Sequence, residues 1–225
     1  MRRYKTRLEG ITFSPSGLEV ARISFHEELM LQPGQAVLVY KPNGWQPLRK
    51  VLFPIHLYPD GFVADAPPEP HWRIGDTLDA FGPLGKGFTP PPLANRWLLS
   101  SFQNPPDKVL ALIQPGLERG AAIALCADRL PANLPPQVEW VANLEEALSW
   151  ADYLALDLPL EFLPSLRTRL GLSSGDRFPY AAQALITQAL PCGIGACYAC
   201  AIKSQHGMVL ACNEGPVFEL NQLEF

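Results

Sequence analysis

Four of the five cysteines in this 225-residue chain crowd towards its C-terminal end. Cys192, Cys197 and Cys200 are spaced C-x4-C-x2-C, and eleven residues separate Cys200 from Cys212. The first three positions match the plant-type [2Fe–2S] spacing. Two irons and two sulfides need four thiolates, and the backbone must wrap closely around them. The residues between the ligands are accordingly small: Gly193, Gly195, Ala196 and Ala199. Glycines admit the left-handed φ values that let amide N–H groups turn towards sulfur, and such hydrogen bonds tune a cluster's potential. A structural zinc site would use the same four thiolates, but it ordinarily pairs two short knuckles and only one C-x2-C is present. Disulfides would need an oxidising compartment. The spacing therefore favours Cys192, Cys197, Cys200 and Cys212 as ligands of a [2Fe–2S] cluster, with zinc and disulfides as the competing uses.

The remaining candidate groups carry less. Cys126 lies in the apolar run Ile123-Ala124-Leu125-Cys126 and reads as core, where free cysteine is common. The histidines, His26, His56, His71 and His206, are scattered, and His206-Gly207 suggests a hairpin tip. Hydrophobic residues make up 48% of the chain and charged residues 18%, against an average of about 25% charged, which excludes bulk disorder. A net charge of −4 argues against a nucleic-acid partner. No apolar run approaches the roughly 20 residues of a membrane span. The basic start Met1-Arg2-Arg3-Tyr4-Lys5 leads into Leu8-Glu9-Gly10 rather than an apolar signal segment. These features predict a cytoplasmic setting with reduced cysteines.

Residues 1–90 read as a small antiparallel β-barrel. Leu18–Phe25 alternates apolar and polar, Pro33-Gly34 marks a turn before Ala36–Tyr40, and Val51–Tyr58, Pro59-Asp60-Gly61 and Phe62–Ala64 read as a hairpin. Thr77–Phe81 ends in Gly82-Pro83-Leu84-Gly85-Lys86-Gly87-Phe88. Proline is abundant, with 24 in all, and Thr89-Pro90-Pro91-Pro92 forms a stiff linker. Beyond it, residues 94–175 alternate strand and helix patterns, which implies a parallel α/β sheet. Strands are expected at Trp97–Ser101, Ala121–Ala127, Val138–Val141 and Tyr153–Leu158. Helices are expected over Asp107–Arg119, broken at Pro115-Gly116, over Leu144–Trp150 with Asn143 as N-cap, and over Glu161–Leu170. Residues 176–225 form the cluster module.

Cys192-Gly193-Ile194-Gly195-Ala196-Cys197-Tyr198-Ala199-Cys200, with Cys212-Asn213-Glu214-Gly215-Pro216-Val217-Phe218 after it, resembles the C-terminal module of the dihydroorotate dehydrogenase electron transfer subunit family. Pro33-Gly34-Gln35 and Gly82–Phe88 extend the resemblance to the N-terminal half. It implies a ferredoxin-reductase-like two-domain architecture: a flavin-binding barrel, a nicotinamide-binding α/β domain and a [2Fe–2S] module. It also implies a hetero-oligomer with a flavin-containing, dihydroorotate dehydrogenase-like catalytic subunit. In the family, electrons run from dihydroorotate through FMN, the cluster and FAD to NAD.

The chain departs from the family where the nucleotides bind. Family flavin sites resemble Arg-x-Tyr-Ser/Thr, and here the stretch is Arg49-Lys50-Val51-Leu52. Arg49 remains a candidate FAD-binding residue, but leucine stands at the hydroxyl position. The family's pyrophosphate-cradling Gly-Thr has no counterpart in Pro68-Glu69-Pro70-His71-Trp72-Arg73. Its glycine-rich nicotinamide turn is replaced by Phe102-Gln103-Asn104-Pro105-Pro106, and its Cys-Gly-Pro by Asp157-Leu158-Pro159. The expectation is a scaffold that has lost NAD binding, with FAD left open. The chain reads as an electron-transfer subunit without turnover of its own, passing single electrons between a partner oxidoreductase and another carrier. A non-enzymatic [2Fe–2S] scaffold or redox-sensing subunit is the alternative.

Overall fold

The computed structural model describes residues 2–25, 30–42, 48–173 and 176–224; His26 lies outside them. The basic N-terminus, which the sequence reading leaves unassigned, forms the strand β1 (Arg2–Phe13). Its side chains alternate: Tyr4, Thr6 and Leu8 are buried while Arg3, Lys5 and Arg7 face solvent. β2 (Glu19–Phe25), β3 (Ala36–Tyr40), β4 (Lys50–Leu52), β5 (Pro54–Tyr58), β6 (Gly61–Ala64) and β7 (Thr77–Leu84) follow. Together they make a seven-stranded sheet in the order β4-β3-β7-β1-β2-β6-β5. Among the described residues its strand pairs are antiparallel. The two end strands are joined through Phe53, so the sheet curls on itself as a barrel. Tyr4, Leu8, Val37, Leu52, Phe62, Trp72 and Leu78 fill it. The expected single strand Val51–Tyr58 is thus two, bent at Phe53.

One buried charge stabilises this barrel. Asp79 on β7 is fully buried and pairs with Arg3 and with Lys5 Nζ at 2.8 Å. Burial alone would raise its carboxyl, but the hydrogen bonds from Arg3 and Lys5 outweigh burial and hold it below the ordinary carboxylate range. A depressed folded-state pKa contributes stability above the unfolded value, near about pH 4, that is lost as pH falls through the folded value. The melting temperature should therefore fall steeply in acid, and Asp79→Asn should flatten that acid limb. An unchanged limb in the variant would show that Asp79 carries none of it.

The second half begins with β8 (Arg96–Ser101), α1 (Asp107–Leu110) and α2 (Ile113–Glu118). The expected helix over Asp107–Arg119 does break, but at Ala111-Leu112 rather than at Pro115-Gly116. Pro115 sits in the first turn of α2, where a missing N–H costs nothing. β9 (Ala122–Cys126), β10 (Val138–Val141), α3 (Leu144–Trp150) and β11 (Tyr153–Pro159) fall where the patterns place them. The Asn143 side chain caps α3 by accepting from the N–H of Glu145 and Glu146. α4 (Leu163–Arg169) and β12 (Ala181–Thr187) follow. Then come β13 (Ala201–Ser204), β14 (Gly207–Leu210) and β15 (Val217–Glu219).

The second sheet has six strands in the order β10-β9-β8-β11-β12-β15. Its first five are parallel and β15 is antiparallel at the edge. The expected boundary at residue 175 is therefore not a break in this sheet, because β12 and β15 belong to it. The apolar run Ala181–Ile186 has the composition of a strand covered on both faces. The cysteine-bearing segment is an excursion between these two neighbouring strands. One core joins all three parts, uniting Leu38 and Leu84 of the barrel, Leu99 and Leu156 of the sheet, and Cys200 and Cys212. Cys126 ends β9 half-buried, in keeping with its reading as core, and burial pushes its thiol up.

Candidate metal centre

The β13–β14 hairpin sets half of the site. Ala201 pairs with Leu210, so the residues flanking the hairpin, Cys200 and Cys212, are brought face to face. Their sulfurs lie 3.4 Å apart, both buried. The Ala211 N–H closes the arrangement on the Cys200 carbonyl at 3.0 Å. The tip, between Ser204 and Gly207, carries His206 away from the sulfurs, as the sequence suggests.

The loop before the hairpin sets the other half. Gly193, Gly195 and Tyr198 adopt left-handed φ values of 67°, 75° and 58°. These turns bring Cys192 and Cys197 Sγ to 3.2 Å. A Cβ on Gly193 would come within 2.6 Å of Leu38 Cδ1, so the absence of a side chain there lets the loop seat on the barrel. The N–H groups of Ile194, Cys197 and Ala196 all donate to Cys192. That of Ile194 does most to lower its thiol, to about 6. Burial, reinforced by the Cys200 thiol, pushes Cys212 up to about 11, against an opposing N–H from Gly195. Backbone donors thus converge on the sulfurs, as the small residues between them lead one to expect.

The donor set fits a two-iron cluster. Neither sulfur separation is the roughly 2.0 Å of a disulfide. Two thiolates on one tetrahedral metal, at metal–sulfur bonds of about 2.3 Å, lie about 3.8 Å apart, and each pair approaches that spacing. Among the described residues no three ligand side chains gather where a single ion could hold them. The four sulfurs fall into two close pairs, a division that suits the two irons of a [2Fe–2S] core. The site is also lopsided: Cys197 is exposed and Cys192 half-buried, while Cys200 and Cys212 face the core.

Arg49, the candidate flavin residue, lies elsewhere. Its guanidinium stacks 4.1 Å above the Phe81 ring and 5.5 Å from that of Tyr40. A group that sequence reasoning missed occupies the seam between the domains. Lys108 Nζ sits 3.2 Å from Asp157 Oδ2 and 3.7 Å from Asp65 Oδ2. Burial alone would lower this ammonium, but the charges of Asp157 and Asp65 raise it overall. No local pattern could have announced the cluster, because its members come from three separate segments.

Residues 188–224 match the family described as the iron-sulfur cluster binding domain of dihydroorotate dehydrogenase B. No match was found among curated protein sequences. Among solved structures, the fold is similar to an NADH-dependent reduced ferredoxin-NADP oxidoreductase, at 16% identity and a TM-score of 0.71, over 97% of this chain and 89% of that one. It is similar also to phthalate dioxygenase reductase, with 10% identity, a TM-score of 0.57 and coverage of 93% and 77%. The ferredoxin reductase of carbazole 1,9a-dioxygenase aligns at 14% identity and a TM-score of 0.61, over 76% of this chain and 65% of that one. The barrel, the parallel sheet and the paired cysteines define a chain of ferredoxin-reductase-like fold whose residues 188–224 resemble an iron–sulfur cluster binding domain.

Proposed function

We propose that this chain is the electron-transfer subunit of a hetero-oligomeric oxidoreductase, carrying single electrons between a dihydroorotate dehydrogenase-like catalytic subunit and another one-electron carrier. A [2Fe–2S] cluster supplies reversible one-electron transfer when bound. Cys192, Cys197, Cys200 and Cys212 hold it, and the loop N–H groups stabilise the negative charge on their sulfurs. No helix among the described residues is long and apolar enough to cross a membrane, and we place the reaction in the cytoplasm.

The observation that carries this reading is the exposed rim. Ile194 and Tyr198 flank the Cys192–Cys197 pair and are 57% and 68% exposed. Apolar side chains left open around a redox centre favour a partner that covers them. Ile194→Ser with Tyr198→Ser should leave the visible absorption intact while co-purification and electron transfer to the catalytic subunit drop by an order of magnitude or more. Unchanged complex formation, or loss of the cluster itself, would refute this docking face. The competing scaffold reading draws on the burial of Cys200 and Cys212 in the shared core. It requires that removing the iron unfold the module and that the cluster not exchange electrons with the partner.

A further inference from the structure

We propose that the cluster works without a flavin or a nicotinamide beside it, because side chains among the described residues fill the seam between barrel and sheet and leave the cavity at the strand ends without phosphate donors. In open α/β sheets, ligands bind beyond the carboxyl ends of the strands where the strand order reverses. Here that point lies between β8 and β11. Asp157, near the end of β11, is fully buried there. It accepts from Asn104 Nδ2 at 3.1 Å and Thr187 Oγ1 at 2.8 Å and pairs with Lys108. Lys108 extends from α1 across the domain boundary to Asp65, just beyond β6 of the barrel. Asp65 in turn accepts from the Phe53 N–H at 2.8 Å, and the Phe53 ring lies 5.9 Å from Lys108 Nζ.

One cation therefore ties the barrel to the sheet across the ligand crevice. A planar ring system inserted there would have to part Lys108 from its carboxylates and leave buried charges unpaired. The phosphate end is a cavity of about 530 Å³ lined by Ser16, Gln103, Asn104, Pro105 and Pro106, but it lacks the donors a diphosphate needs. Pro105 and Pro106 have no N–H to offer. Asp107, in the first turn of α1, already accepts from the Ser16 N–H and Oγ at 3.1 and 2.9 Å. Its carboxylate stands where a dinucleotide site would present N–H groups to a diphosphate, and Ser16 lines the same cavity from the barrel side.

This inference deepens the electron-transfer reading and rests on it for the electron count. The cluster then takes one electron from a donor and passes one to an acceptor, with no two-electron hydride step. The test uses the anaerobically purified holoprotein, incubated with excess FAD and gel-filtered. Acid-released flavin should not exceed the buffer level, dithionite should reduce the chain with about one electron, and NADH should leave the visible spectrum unchanged. Retention of flavin near one per chain, a titration running to about three electrons, or bleaching by NADH would overturn the proposal. Should the protein hold no iron, the cluster reading fails on its own, and flavin retention alone still decides whether the chain takes a flavin.

Discussion

Cys212→Ala is expected to abolish the visible charge-transfer absorption and to drop iron from about two per chain to background. Cys212 is buried in the core shared by the barrel, the sheet and the hairpin, and its sulfur is half of the pair with Cys200. Losing it leaves one metal with a single protein thiolate, which cannot retain the cluster. Because metal binding is linked to folding, the variant should also melt earlier than the holoprotein. Cys126→Ala is the control: it sits at the end of β9, apart from the sulfur pairs, and should keep full iron. Stoichiometric zinc in the anaerobically purified wild type, with no visible bands, would overturn the assignment of the site.

The second large effect is structural. Lys108→Met should cost about 3–5 kcal/mol, since it strands two carboxylates, those of Asp157 and Asp65, in a seam where they have lost their shared cation. For a chain of this size each kcal/mol moves the midpoint by about 2–4 °C, so the variant should melt roughly 6–20 °C lower. Adding Asp157→Asn should recover part of the loss, because it removes one stranded charge and keeps an acceptor for Thr187. A midpoint for Lys108→Met indistinguishable from wild type would mean that the pair contributes nothing net. Differential scanning calorimetry on the iron-loaded proteins distinguishes these outcomes.

Much of the site was legible because its chemistry is local. The cysteine spacing and the small residues between the ligands name a cluster loop without reference to anything distant. The strands of the second sheet were equally readable, since Ala121–Ala127 is a continuous apolar run and Tyr153–Leu158 is one interrupted only by Asp157. Other features needed the tertiary structure. β1 carries a plain alternation of Tyr4, Thr6 and Leu8 with charged neighbours, yet a cluster of arginines and lysines at a chain start masks it. Phe53 divides one apolar run into two strands because the barrel must turn there to close. The continuation of the sheet through β12 and β15 was hidden because the cluster excursion separates them in sequence. The Lys108 network was beyond reach altogether: Asp65, Lys108 and Asp157 are ordinary surface-type residues whose meaning arises only when two domains meet.

The contact of Gly193 with Leu38, and of the Lys86 N–H with the Gly215 carbonyl, ties cofactor maturation to the barrel as well as to the cysteine segment. The loop that would receive iron rests on β3 of the barrel, distant from it in sequence. The iron content of a preparation therefore reports on the integrity of the barrel. A lesion at Leu38, far from any cysteine in sequence, would reach the laboratory as iron-poor protein. A genetic screen for colourless variants of this chain should accordingly recover changes in the barrel as well as in the cysteines.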